Sequence, residues 1–188
     1  RQMCIRDSVW PYGKHLFMQF AKDGYQPQIL HTHLKMEGTW SMYRAGARWK
    51  KPAHAARVVL SLSDEPKADI ELVGFWLGLV RVFPAREYQQ EMGYLGPDLL
   101  DPDFDLHEAV RRIEAEPGRE IGRALLDQHK LAGIGNEYRA EINFLAGTHP
   151  AELVRDVDVE KHVRLARRLM WANKDAPVRV TPGSSGRG

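Results

Sequence analysis

The sequence predicts an α+β protein in which an antiparallel β lobe precedes a helical lobe. Three observations carry that prediction. Short apolar runs bounded by turn residues fill the stretch from Leu16 to Phe83, the apolar period lengthens after Asp103, and a glycine turn joins two helical stripes beyond Leu125. Strands come first. They are expected over Leu16 to Phe20, Ile29 to Leu34, Thr39 to Tyr43, Arg57 to Leu62, Ile70 to Val73 and Leu79 to Phe83. Asp23-Gly24 and Asp64-Glu65-Pro66 supply turn chemistry between neighbouring strands, which favours antiparallel pairing in a sandwich or barrel half.

Gly93, Gly96, Pro97 and Pro102 interrupt any regular element between Glu91 and Asp103, and the linker between the lobes is expected there, over 93–102. Asp105 then caps a helix through Ala109, Val110 and Ile113 that Pro117-Gly118 ends. Further helices are expected over Glu120 to His129 and Asn136 to Ala146. Asp158 opens a last one with Val159, Val163, Ala166 and Met170 on its apolar stripe. Its Lys161, Arg164, Arg167 and Arg168 read as a solvated face. The tail beyond Asp175, rich in Pro, Gly and Ser, has no composition for a packed element.

At 188 residues, 43% apolar and 28% charged, the chain can bury a core in one domain or two small ones. Its net charge is only +2, so a nucleic-acid surface would have to be local. Neither a membrane-length apolar run nor a signal-peptide pattern is present, and a cytoplasmic location with no membrane partner is expected. The single Cys4 excludes both an intrachain disulfide and a four-cysteine zinc site.

The stretch Leu125-Leu126-Asp127-Gln128-His129-Lys130-Leu131-Ala132-Gly133-Ile134-Gly135-Asn136-Glu137-Tyr138 is the most informative in the chain. Ile121, Ala124, Leu125 and Gln128 share one helical stripe, and Tyr138, Ile142 and Leu145 share the next. The glycines between them permit a sharp turn and leave the amides open to a bulky anion. Asn136, expected at the N-cap, opens a helix whose first N–H groups and dipole suit a phosphate oxygen. On these residues alone an ordinary helical hairpin fits as well.

That stretch, continued by Phe144-Leu145-Ala146-Gly147-Thr148-His149-Pro150, resembles the helix-two-turn-helix element of the formamidopyrimidine-DNA glycosylase and endonuclease VIII family. Gly13-Lys14-His15-Leu16, His33-Leu34-Lys35-Met36-Glu37-Gly38 and Leu95-Gly96-Pro97-Asp98 extend the resemblance in the family's order, over about residues 9 to 188. Residues 1–8 do not share it. The resemblance implies a β-sandwich lobe over 9–92, a helical DNA-binding domain over 103–175, and a tail over 176–188 that leads, in the family, to a zinc finger. It also implies a monomeric bacterial DNA-repair enzyme, acting on damaged double-stranded DNA near the nucleoid.

Site residues follow from the same comparison. Lys14 would contact a DNA phosphate, and Lys130, Gly135 and Asn136 would hold the backbone from the other lobe. Met36 would fill the hole left by an everted nucleotide. Where the purine-specific branch has an Arg-Arg-Phe-Gly turn, this chain has Phe75-Trp76-Leu77-Gly78, which favours the endonuclease VIII-like branch and its oxidised pyrimidines. Phe75, Trp76 or Leu77 would be the second wedge, with Leu77 as the candidate. His31 and His33, two apart on one strand face, could pair on a metal, but no third ligand is evident and no metal is expected.

The family attacks the sugar C1′ with an N-terminal proline whose neighbouring glutamate moves protons, and no Pro-Glu pair occurs in this chain. No catalytic residue is therefore expected among these residues, nor any cofactor; the intact family member's zinc would sit in the finger. The implied activity is that of a DNA glycosylase and abasic-site lyase, with this chain binding DNA but inefficient in both reactions. A non-enzymatic helix-two-turn-helix nucleic-acid-binding module is the alternative, and a helical protein-interaction domain the third reading.

Overall fold

A computed structural model describes residues 5–62 and 69–176, so Cys4, the expected Asp64-Glu65-Pro66 turn and the tail from 177 lie outside the described residues. The chain forms two compact units, Arg1–Tyr88 and Gln89–Gly188.

The first unit holds two antiparallel sheets. Strands β1 (Ile5–Tyr12), β2 (His15–Ala21), β3 (Gln28–His33) and β7 (Leu79–Pro84) form one in the order β1-β2-β3-β7; β4 (Thr39–Arg44), β5 (Ala56–Leu62) and β6 (Ile70–Phe75) form the other in the order β4-β6-β5. Every expected strand is present, and β1 is an addition. Its run of Ser8-Val9-Trp10-Pro11-Tyr12 carries little alternation, and only pairing with β2 (Trp10 opposite Phe17, Tyr12 opposite His15) makes it a strand. Residues 5–8, expected to be unrelated to the fold, belong to that strand.

Burial follows position in the sheet. β3 lies between β2 and β7 and buries Ile29, Leu30, His31 and Thr32 in an unbroken run. The edge strand β5 alternates between exposed and half-buried residues, as expected of a strand with one solvated face.

The second unit is helical. After a short helix α1 (Tyr88–Met92) that spans the division come α2 (Leu106–Glu114), α3 (Ile121–Leu126), α4 (Asn136–Ala146) and α5 (Val159–Asn173). Asp105 accepts from the Glu108 N–H at 2.9 Å and Asp158 from the Lys161 N–H at 2.9 Å, so both expected caps are in place, each worth about 1 kcal/mol. Gly147, in the left-handed region at φ +73°, closes α4. The core joins Ala109 and Ile113 of α2, Leu125 of α3, Ile142 of α4 and Val163 and Leu169 of α5.

Two boundaries differ from expectation. α3 stops at Leu126 instead of reaching His129, because Asp127 leaves the helical region and its carboxylate accepts from the His129 N–H at 3.0 Å, starting a turn. Residues 93–102 are not a linker. Leu95 and Leu99 are buried, Gly96 N–H donates to the Gln128 carbonyl at 2.8 Å, and Asp98 bridges to Ala132, which fixes the segment within the helical unit.

Candidate nucleic-acid interface

In the helical unit the glycine turn is braced from three directions. Gln128 Nε2 donates to the Leu126 carbonyl at 2.9 Å and the Ile134 carbonyl at 3.1 Å, while its Oε1 accepts from the Gly133 N–H at 3.0 Å. Ala132 N–H donates to the Pro97 carbonyl at 2.9 Å. Ile134 is fully buried and pins the tip of the turn into the core. Gly133 takes φ +109°, where an L side chain is strained, and a Cβ there would lie 2.9 Å from Met170 Cε.

Gly135, in extended conformation, is the N-cap, and Asn136 is the first helical residue, one position inside the cap expected for it. The first helical hydrogen bond runs from Arg139 N–H to the Gly135 carbonyl at 2.9 Å. The amides ahead of it, at an exposed Asn136 on an eleven-residue helix, form the kind of N-terminus that suits an anion.

Lys130 is elsewhere. Only 6% exposed, its ammonium donates to the Arg112 carbonyl at 2.6 Å and pairs with Glu116 at 2.9 Å. Arg112 in return donates to the His129 carbonyl at 2.9 Å, so α2 and the turn hold each other. The geometry gives Lys130 a bracing role, contrary to the expected phosphate contact. Arg119 meets Asp127 at 2.7 Å; burial alone would raise the Asp127 carboxyl, but the His129 N–H and Arg119 together hold it below the usual carboxylate range.

In the β unit, the two-residue turn Gly13-Lys14 places Lys14, exposed, ahead of β2. β2 and β3 pair His15 with His33, and Phe17 with His31, so the three histidines share one face. His15 Nδ1 and His31 Nε2 are 2.8 Å apart, and the His15 and His33 ring centres 4.8 Å apart. Lys35 follows, held at φ +56° with its N–H donating to His33 Nδ1 at 2.8 Å. Burial first, then Lys35, lowers the Lys14 ammonium. Burial, then His31, His33 and the two lysines, pushes His15 down to about 4. His33 is lowered by burial, then by Lys35 and Lys14. Among the described residues, no group of three or more His, Cys, Asp or Glu side chains is arranged to hold a metal ion.

Met36 stands at the tip of the β3–β4 turn, 96% exposed. The β6–β7 turn lies beside it: Gly78 N–H donates to the His33 carbonyl at 3.0 Å, and a Cβ on Gly78 would run into the Lys35 side chain. Leu77, the candidate second wedge, is fully buried over Gly74, and Phe75 is buried too. Trp76, at φ +47° and 41% exposed, is the residue of the three that reaches solvent.

Sequence reasoning missed His15 as the partner of His31, and Gln128 as the staple of the turn. The first depends on the register of β2 against β3, and the second has no sequence signal beyond its helical stripe.

Residues 95–176 match the family described as the formamidopyrimidine-DNA glycosylase H2TH domain. The chain is 41% identical over 182 residues to a probable endonuclease 8 2 of Streptomyces coelicolor, covering 95% of this chain and 63% of that relative. It is 35% identical over 185 residues to a DNA-(apurinic or apyrimidinic site) lyase of Mycolicibacterium smegmatis, covering 98% of this chain and 68% of the relative. Among solved structures, Lactococcus lactis Fpg in complex with an abasic site containing DNA superposes with a TM-score of 0.75 at 19% identity, over 90% of this chain and 61% of that one, which shows a shared fold.

Proposed function

Because the chain belongs to the formamidopyrimidine-DNA glycosylase and endonuclease VIII family, we propose that it serves a base-excision-repair DNA glycosylase and abasic-site lyase of the endonuclease VIII-like type. Its residues supply the grip on damaged duplex DNA and the filling of the lesion void. The observation that carries the proposal is the braced Gly133-Ile134-Gly135-Asn136 turn opening α4.

Reaching a damaged base requires swinging its nucleotide out of the stack, at a cost of about a few kcal/mol. The phosphates beside the lesion must stay fixed while this happens. The amides at Gly135 and Asn136, with the Asn136 side chain, hold one phosphate, and Lys14 holds another. Met36, already in water, enters the vacated space at little desolvation cost and restores stacking contact. Trp76 takes the second wedge position in place of Leu77, and Lys130 stays in the framework. The uncharged Phe75-Trp76-Leu77 turn, without the arginines of the purine-specific branch, favours oxidised pyrimidines.

In the covalent step an amine attacks the sugar C1′ as the bond to the base breaks and the base departs, or condenses with an abasic aldehyde with loss of water. A C2′ proton is then lost and the C3′–O bond breaks with departure of the phosphate. The chain contains no Pro-Glu pair, so none of its residues takes the part of the attacking amine in that step. A four-thiolate zinc site does not fit a sequence with one cysteine. A monomer acting in the bacterial cytoplasm completes the reading; no helix among the described residues is long and apolar enough to cross a membrane.

The test is fluorescence anisotropy with a labelled duplex. Binding that weakens steeply with salt, and by about tenfold in Asn136→Ala, is expected for one lost charge-assisted phosphate contact. Binding indifferent to both salt and Asn136 would overturn it.

A further inference from the structure

The face shared by β2 and β3 concentrates basic groups in a way that a plain lysine contact does not require. His15, His31 and His33 share it with Arg81, paired opposite His31 on β7, and the turns before β2 and after β3, at one end of the pair, add Lys14 and Lys35. Among the described residues, the uncharged Tyr12 of β1 and Leu79 of β7 lie in register with His15 and His33, and Tyr88 packs against Phe17. Every charged group among the described residues that acts on His15 opposes its protonation, and no carboxylate is among them.

The hydrogen bonds give the imidazoles different roles. His33 Nδ1 accepts from the Lys35 N–H, so its proton sits on Nε2, and protonating Nδ1 would break that bond. His33 is thereby locked as a neutral donor. The His15–His31 pair is not. One proton lies between His15 Nδ1 and His31 Nε2 in either tautomer, so the pair can take a second on an outer nitrogen without losing the bond.

We infer that this face is a proton-linked phosphodiester site, in which His33 donates as a neutral imidazole while the His15–His31 pair takes up one proton as the anion arrives. The inference rests on the backbone grip proposed above. An incoming phosphate cancels the field of Lys14 and Lys35, which is part of what keeps His15 neutral, and so favours the imidazolium. In the free chain His15 titrates at about 4. The bound value is higher, so affinity rises as pH falls through the bound value and levels off near the free one.

Calorimetry decides it, using a duplex with a tetrahydrofuran abasic analogue between about pH 7 and about pH 5, where histidines report most readily, in two buffers of different ionisation enthalpy. The expected result is proton uptake by the wild-type chain that grows as pH is lowered across that range, abolished in His15→Gln and retained in His33→Gln, which instead binds several-fold more weakly at every pH. Tight binding with no uptake, or uptake that survives His15→Gln, overturns the proton link while leaving the backbone grip intact. A wild-type chain that does not bind the duplex overturns both. Should His15→Gln fail to fold, the wild-type imidazole resonances followed by NMR serve instead: a His15 titration unmoved by DNA refutes the inference.

Discussion

Replacing Lys130 with methionine separates bracing from phosphate binding. Methionine keeps most of the stem's volume and removes the ammonium. The Arg112 carbonyl then loses a charge-assisted donor at 2.6 Å in a place that is 6% exposed on the lysine side. Leaving such a buried acceptor without its charged partner costs about 1.5–3 kcal/mol. Glu116 adds little, since its carboxylate is exposed and keeps Arg119 at 3.0 Å. The expected result is a urea midpoint lowered in proportion to that loss, with the slope of the transition unchanged. The folded variant's DNA affinity should keep the same dependence on salt. Lys14→Ala should do the reverse: stability nearly unchanged, and the logarithmic salt slope smaller by about 0.9, one phosphate's share. If Lys130→Met leaves stability intact but flattens the salt slope, the ammonium contacts DNA and the bracing argument is wrong.

Other outcomes are expected together. Gly96→Ala puts a Cβ 2.4 Å from the Lys130 carbonyl carbon, a backbone clash that must move the turn, so a loss of about 1–3 kcal/mol in thermal or urea unfolding is expected. Met36→Ala, at a fully solvated tip, should change stability by less than about 0.5 kcal/mol yet weaken binding to lesion-containing duplex, as measured by anisotropy. The depressed Asp127 carboxyl predicts a pH dependence of stability. Because the folded value lies below the unfolded one, near about 3.9, the stabilisation is complete above that value and disappears as pH falls through the folded value. Acid unfolding followed by circular dichroism should therefore begin below about pH 4, and Asp127→Asn should blunt it.

Much of the fold was legible because its signals are local. The strand runs from Leu16 to Phe83 are short and bounded by turn residues, and the Asp105 and Asp158 caps act within three residues of themselves. What depended on distant partners was not legible. β1 exists through pairing with β2, and 93–102 joins the helical unit through bonds to Gln128 and Ala132. The same division runs through the site. Asn136, Lys14 and Met36 are exposed at turns and Gly135 half-buried beside them, where motif and geometry coincide. Lys130 and Leu77 are one residue type in an expected motif but buried by neighbours that the motif does not contain: Arg112 and Glu116 for one, Gly74 for the other. Likewise, the pairing of His15 with His31 needed the register of two strands.

The claim that matters most is that this chain recognises a damaged site in duplex DNA through the turn before α4. Its most direct test is competition between a duplex carrying a tetrahydrofuran abasic analogue and the same duplex undamaged, at physiological salt. A preference of at least about tenfold for the analogue, collapsing in Asn136→Ala while Lys130→Met retains it once folded, is the predicted result. Equal affinity for the two duplexes, or a preference untouched by Asn136→Ala, would contradict the account.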